Sequence, residues 1–386
     1  MSFFQVLKAE AKLLFTDIAI VLTIFGGVIL YSFLYPQPYI HESVSELPIT
    51  VVDYDNTQKS RDIIFKLDAT PQVDVVRHDA SYKDALDALV ANKIKAIMVV
   101  PAHLQRDITL GKSPTIALGV DNSYFLIYGG VLEGALKTVM TEAASIKVAN
   151  LLKDKMPMVG AKKAFSAYSF KELPLFNADN SYTEYVVPAV FILILQQTLL
   201  IGMGILGGGI NERLTCKQDG YYTKAKVWQM ILSRTLLFGT IFFFHMLYYF
   251  GFSFEFFEIN HLAHIGELLA FGVLFLAASL GLGIFLGAVF NAREIATPAV
   301  LFSSLPLVFS VGFIWPKEAM PEFIQQLAMF FPSTPAMEGF LKLNQMGADL
   351  SMIGKNSMIL TLQVFIYTIL GYYIMKKRQK GFYGKI

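Results

Sequence analysis

Charge and cysteine are what this sequence has least of. Only 16% of its 386 residues are Asp, Glu, Lys or Arg, against about 25% in ordinary soluble domains. The single cysteine, Cys216, excludes an internal disulfide framework. The formal net charge is +2, with Lys and Arg gathered at the ends of apolar runs and balanced by acids elsewhere. That distribution leaves no basic footprint for a nucleic-acid partner.

What is abundant is apolar surface: 54% of residues and a mean hydropathy of +0.51, the composition of an integral membrane protein. The organising stretch runs from Tyr185 to Lys226. Between Tyr185 and Ile210 it carries no charge and exceeds the roughly 20 residues that a helix needs to cross a bilayer. It then runs into a charged loop, Asn211 to Lys226, where Arg213, Lys217, Lys224 and Lys226 stand against Glu212 and Asp219. Short loops rich in Lys and Arg stay in the cytoplasm. One boundary thus implies both a span and its orientation, and puts Cys216 inside.

In chain order, residues 1–17 read as an amphipathic helix lying in the headgroup region. Phe3, Phe4, Leu7, Ala11, Leu14 and Phe15 share one face, and Gln5, Lys8 and Lys12 the other. Ile18–Tyr35 is the first span, stopped by Pro36 and Pro38 and lacking the cleavage site of a signal peptide. Residues 1–35 therefore form an anchor, and 36–184 an extracytoplasmic domain of soluble composition. Strand patterns at 48–56, 73–77, 95–100 and 115–120 alternate with helical ones at 60–67, from Ser81 through Val90 with Asp84 in its capping box, and from about Ser123 to Lys155, with Gly129-Gly130 its weak point. That alternation predicts an α/β domain.

Residues 185–386 then read as five further spans. Val227–Gly251 carries Arg234 about 10 Å along the helix, whose guanidinium is expected to reach back to the cytoplasmic headgroups. Phe252–His264 is an outside loop with acids and no Lys or Arg. Ile265–Phe290 holds four glycines for close helix contact, Asn291–Glu294 is an inside turn, and Ile295–Trp315 carries Pro298 and Pro306 as expected kinks. Within 316–350, Phe323, Ile324, Leu327, Phe330 and Phe331 share one face of a short helix, and Thr334 is placed to cap a second, with Pro335 in its first turn. These are expected to be amphipathic helices dipping into the outer membrane surface. Ser357–Met375 is the sixth span, and Lys376, Lys377, Arg378, Lys380 and Lys385 hold the tail inside. The fold class is an α-helical membrane protein of six transmembrane helices with an inserted extracytoplasmic α/β domain, multi-pass, both termini cytoplasmic.

Several motifs reduce to structural readings. Gly111-Lys112-Ser113 has Arg106 where a phosphate loop needs its earlier glycine. Glu258, His261, His264 and Glu267 are spaced so that a helix fans the first three by about 60 degrees per step, and read as interface polar residues rather than a metal site. Asp53-Tyr-Asp-Asn56 lacks the glycine and terminal glutamate of a calcium loop and reads as a strand-to-helix turn. Gln196 and Gln197 fall mid-span, where an amide either lines a pathway or ties helices together. No Ser/His/Asp or Cys/His set shares one compartment with usable spacing, so no catalytic centre and no metal are expected.

The order of parts resembles the permease subunits of type-2 ATP-binding-cassette exporters, in the branch with a large extracytoplasmic domain between spans one and two. The resemblance rests on Ile49-Thr-Val-Val-Asp-Tyr-Asp-Asn-Thr57 with Ser60-Arg61 and Ala96-Ile-Met-Val-Val-Pro101. It continues through Leu175-Phe-Asn177, Ser181 and Tyr185-Val-Val-Pro188, and ends on Trp315-Pro316, Met320-Pro321, Phe331-Pro332 and Pro335. Ala178 and Ala189 replace a usual proline and glycine, and the loop after Glu212-Arg213 lacks the usual acidic glycine-threonine sequence. The resemblance implies a homo- or heterodimer in a bacterial cytoplasmic (inner) membrane, with ATP and Mg held by separate cytoplasmic ATP-binding subunits and no cofactor in this chain. It implies efflux of a drug or lipid-like molecule, with membrane lipid and a candidate periplasmic adaptor as further partners. It puts ATPase coupling on the 211–226 loop with Glu212, Arg213, Lys217, Asp219 and Lys224, and the outer gate on Phe323 to Pro335, while pathway lining by Gln196 and Gln197 stays one of the two readings of their mid-span position. The alternative is a membrane-anchored receptor or assembly scaffold whose outer domain binds a partner.

Overall fold

Ser2 and Gln5 close the first turn of the chain reciprocally: the Ser2 hydroxyl accepts from the Gln5 amide at 3.3 Å, and the Gln5 side chain accepts from the Ser2 amide at 2.9 Å. This capping box starts α1, Phe3–Thr16. Asp17 ends it and starts α2, Ile18–Leu34, by accepting from the amides of Ala19 and Ile20. The two helices meet at 77°, the break falling where the sequence placed it. In this computed structural model residues 1–39, 45–121, 125–153, 176, 182–310 and 319–383 are described. They fall into two units, Met1–Ile40 with Pro174–Ile386, and His41–Leu173.

The second unit is built on four strands, β1 (Leu47–Asp53), β2 (Val73–His78), β3 (Ala96–Val100) and β4 (Ala117–Val120), in the order β2-β1-β3-β4. The first three are parallel and β4 is antiparallel. Helices α3 (Gln58–Asp68), α4 (Tyr82–Val90), α5 (Leu104–Thr109) and α6 (Phe125–Lys153) join or follow them. Because helices cover both faces, β1 is apolar on both sides. Ile49 and Val51 pack with Ile63, Leu67 and Val131, while Val52 packs with Ala85 and Ala88. All four strand patterns of the sequence are present, and α6 runs unbroken through Gly129-Gly130. The α5 helix was not anticipated; at 6 residues with Leu104 its buried side chain, it is too short to show a helical period.

The turn reading of Asp53–Asn56 is what forms: Asp53 accepts from the amides of Asp55 and Asn56 and from the Ser60 hydroxyl. Further along, Glu142 of α6 is buried and bonded to both Lys59 and Lys66 of α3. Burial alone raises its pKa, but the two ammonium groups outweigh it and hold the carboxyl at about 2.

In the first unit the chain continues as α7 (Tyr182–Thr215), α8 (Tyr221–Lys224), α9 (Val227–Leu247), α10 (Ile265–Val289), α11 (Ala296–Ser310), α12 (Glu322–Ala328), α13 (Ser333–Met346) and α14 (Gly354–Tyr383). Helix α7 is the hub: 94% of its most apolar window is buried, against 28% for the span that contains α14. Its glycines allow that. A Cβ at Gly207 would sit 2.4 Å from the Gly287 carbonyl oxygen, and one at Gly208 2.5 Å from that of Ala292, so α7 and the end of α10 touch backbone to backbone.

Among the described residues, four helices are long and apolar enough to cross a membrane, or five if the bent α1–α2 pair is one span. The stretch expected as a fifth span, 295–315, is described only through α11, whose 15 residues fall short of the roughly 20 that crossing requires. Its remainder lies outside the described residues, as do Leu175, Asn177, Ser181, Trp315, Pro316 and Lys385. Several boundaries differ from expectation; α14, for one, runs from Gly354 to Tyr383 rather than from Ser357 to Met375. Asn211–Thr215 belongs to α7 rather than to a loop. The helix after Lys226 continues through a wide turn, Tyr248–Ser253, to Phe256, because Phe250 and Phe254 pack on Phe340.

Candidate functional site

Two places along α7 gather the residues singled out by sequence. The first is its basic end. With 34 residues, α7 is about 51 Å long at 1.5 Å per residue, well beyond the roughly 30 Å of a hydrocarbon core. Glu212 is exposed and Arg213 half-buried on its last turns; Lys217, Asp219 and Lys224 are exposed beyond it. Asp219 bonds Thr223 and lies 3.1 Å from Lys224, and these partners hold its carboxyl below the usual carboxylate range.

Behind this exposed rim every support is a side chain bonded to a helix end. The Asn211 amide donates to the carbonyls of Gly287, Ala288 and Phe290 at 2.9, 3.2 and 2.8 Å, satisfying the last turn of α10, which would otherwise lack partners. Gln379 of α14 donates to the carbonyls of Tyr222, Thr223 and Ala225, pinning α8. Arg378 reaches Val289 and Asn291, and Arg293 bridges to Asp17 at 2.9 Å. The rim therefore stands on a frame that joins α2, α7, α8, α10 and α14.

Arg234 has a partner that the sequence reading lacked: its side chain is 3% exposed, and Nε donates to the Glu10 carboxylate at 3.0 Å. The buried face of α1 is accordingly Val6, Glu10 and Leu14, while Phe4 and Phe15 are exposed. The physical reason is that an opposite charge at contact compensates a buried guanidinium. Glu10 was missed; its signal was a lone acid on an apolar helix combined with an arginine inside a span.

The second place is mid-helix. Gln196 is 2% exposed and stands midway between Tyr182 and Asn211. Its Oε1 accepts from the Ser333 amide at 2.6 Å, and its Nε2 donates to the Ser333 hydroxyl at 3.0 Å. Gln197 is half-buried. The start of α13 thus lies deep along α7. At 14 residues, or about 21 Å, α13 leads back toward the far end, where the Leu262 amide donates to the Asn344 carbonyl at 3.1 Å.

A helix that begins so deep must satisfy its first amides without water, and all are accounted for. Ser333 donates to Gln196, Thr334 to the Phe331 carbonyl, Pro335 has no N–H, and Ala336 donates to the Pro332 carbonyl. Thr334 is not the cap: the helix starts one residue earlier, and the Thr334 hydroxyl is buried with no hydrogen-bond partner. Thus α13 is a buried element, with Gly339 pressed on the Phe271 ring, rather than a surface-dipping one. The helix expected through Phe331 ends at Ala328, and across α12 and the turn after it the expected apolar side chains are mostly open. Phe323, Leu327 and Phe330 are 69%, 60% and 64% exposed, and Ile324 and Phe331 are half-buried.

The turn from α12 into α13 is also held from α14. Asn356 donates to the Pro335 carbonyl at 3.0 Å, Gln363 to that of Met329 at 2.8 Å, and Tyr367 to that of Phe330. These three share the buried stripe of α14 with Leu360. Sequence reading missed them, although two amides at seven-residue spacing in an apolar span are a signal of helix contact. Beside them a groove of about 570 Å³ runs between α10 and α14, with Phe330, Phe331 and Met329 forming one wall.

Elsewhere at the far end, His261 bonds Asn344 and Glu267 accepts from the Leu350 amide, so these polar residues tie loops to helices. The family model described as ABC-2 family transporter protein matches residues 18–373 of this chain. No curated protein matches it.

Proposed function

The chain belongs to the ABC-2 family transporter proteins, and from that premise we propose that it is the permease subunit of an ATP-driven exporter of hydrophobic or amphipathic molecules. A permease of this family works with an ATP-binding subunit. The chain crosses a bacterial inner membrane six times in this reading, with both ends cytoplasmic and residues 36–184 outside. It pairs with a second permease chain, and the outer α/β unit is the surface offered to a periplasmic adaptor. Substrate of drug or lipid type fits a helical unit whose grooves are apolar.

The observation that carries this reading is the continuity of α7. One continuous helix bears the exposed Glu212 and half-buried Arg213 at its basic end and Gln196 at the deep turn before α13. A push received at Glu212, Arg213, Lys217, Asp219 and Lys224 from the ATP-binding subunit travels along that helix to the segment Phe323–Pro335, the outer gate. In this reading Gln196 links helices within the pathway region, and Gln197 faces the route. ATP and Mg stay on the partner, so this chain performs no chemistry. The test is co-expression with candidate ATP-binding subunits: a stable complex that hydrolyses ATP supports the reading, and a chain that captures none of them contradicts it.

A further inference from the structure

We propose that Gln196 is the latch of the deep turn, and that the gate parts along the seam between α7 and α13 while the turn stays fastened to α14. The proposal rests on the exporter reading for its link to ATP, but the latch itself does not need it.

The turn from Met329 to Pro335 is gripped unequally. From α14 three side chains, Asn356, Gln363 and Tyr367, each donate to a different turn carbonyl. They stand on one buried stripe, so the grip on that side is distributed along the helix and releases only if all three let go. From α7 the hydrogen-bonding grip is one side chain, the Gln196 amide, which makes both its bonds to Ser333. A single buried amide pair contributes about 1–3 kcal/mol, the scale of a switch rather than of a permanent joint.

The first turn of α13 also contains a buried group that entering water would satisfy. The Thr334 hydroxyl, in a residue 1% exposed, has no hydrogen-bond partner in the closed arrangement. Leaving a buried hydroxyl unpaired is costly, and water entering the seam removes that cost. Parting meanwhile strips the Ser333 amide of its acceptor, which water or a polar group of the passing molecule then supplies. Gln196 thereby weights the balance between the closed and open arrangements. Gln196 is a positioning residue: it acts through the place of α13.

The experiment uses the full chain with Cys216→Ser and two pairs of introduced thiols, Gln196→Cys with Ser333→Cys across the seam and Gln363→Cys with Met329→Cys across the α14 contact. Each is bridged by a short reducible bis-thiol reagent in liposomes holding the complex with its ATP-binding subunit. Each bridge is read against the same double-cysteine protein before bridging: the seam bridge is expected to stop that protein's ATP turnover until reduced, and the α14 bridge to leave its turnover where it was. Turnover that survives the seam bridge, or that is stopped by the α14 bridge, overturns the proposal.

A second arm needs no ATP. In the resting chain, Gln196→Leu is expected to speed labelling of a Thr334→Cys thiol by a membrane-impermeant maleimide about tenfold, the loss of one buried hydrogen-bonded contact. Unchanged labelling overturns the latch. If labelling rises but the unbridged complex never hydrolyses ATP, the exporter reading falls and the latch stands.

Discussion

Arg234, two turns inside α9, donates to Glu10 on α1 at 3.0 Å with both side chains almost fully buried. An isolated charge in such surroundings is far costlier than the pair. Glu10→Leu or Arg234→Met alone is therefore expected to destabilise the chain by about 3–5 kcal/mol, and the double replacement to recover most of that loss. Thermal unfolding in detergent of the two single variants and the double variant checks this; additive losses would show that the two residues do not act as a pair.

The three adjacent glycines of α7 are expected to behave differently. Gly207→Ala sets a methyl 2.4–2.6 Å from the Gly287 backbone, whereas at Gly209 the nearest atom is 4.0 Å away. Gly207→Ala should cost about 1–3 kcal/mol through overpacking, while Gly209→Ala gains up to about 1 kcal/mol of helix propensity. Opposite shifts in melting temperature are the readout.

In the α/β unit, Glu142 is held at about 2 by Lys59 and Lys66, below the roughly 4.3 of an unfolded glutamate. Its stabilisation is therefore complete above pH 4.3 and is lost as pH falls toward 2. Glu142→Gln should remove on the order of 1–3 kcal/mol at neutral pH and flatten the acid side of the stability curve between those two values. Hydrogen exchange of α3 and α6 as a function of pH reports it.

The exposed rim predicts a separation of stability from coupling. Glu212 and Lys217 are exposed, so Glu212→Ala and Lys217→Ala should move the unfolding midpoint little, within about 0.5 kcal/mol. Capture of the ATP-binding subunit or its ATP turnover should fall. Asn211→Ala, which removes the amide serving three carbonyls, should instead lower stability and coupling together.

Where a segment's neighbours lie within its own period, the sequence was legible. Long apolar runs gave α7, α9, α10 and α14, and alternation with turn residues placed all four strands and the Asp53 turn. What stayed hidden depends on partners distant in the chain. Arg234 meets Glu10 across more than two hundred residues, and no periodicity announces that. Gln196 could be read as lining or as a tie, and only the position of Ser333 shows the tie it makes. Phe323 to Phe331 share a face in the sequence, but whether that face is covered depends on what packs beside it, and Phe323, Leu327 and Phe330 are exposed. The end of α7 was misplaced because charge at Glu212 and Arg213 signals the edge of the apolar layer, not the end of the helix.

In the exporter we propose, this chain turns ATP hydrolysis on a partner into movement of its own helices through the basic end of α7. The most direct test is ATP hydrolysis by the purified complex of permease and ATP-binding subunit, compared with the same complex carrying Glu212→Ala, Arg213→Ala and Lys217→Ala together. The expected result is a complex whose ATP turnover responds to lipid or drug-like molecules in the native form and loses that response in the variant. Equal responses in both, or no complex with any ATP-binding subunit, would contradict it.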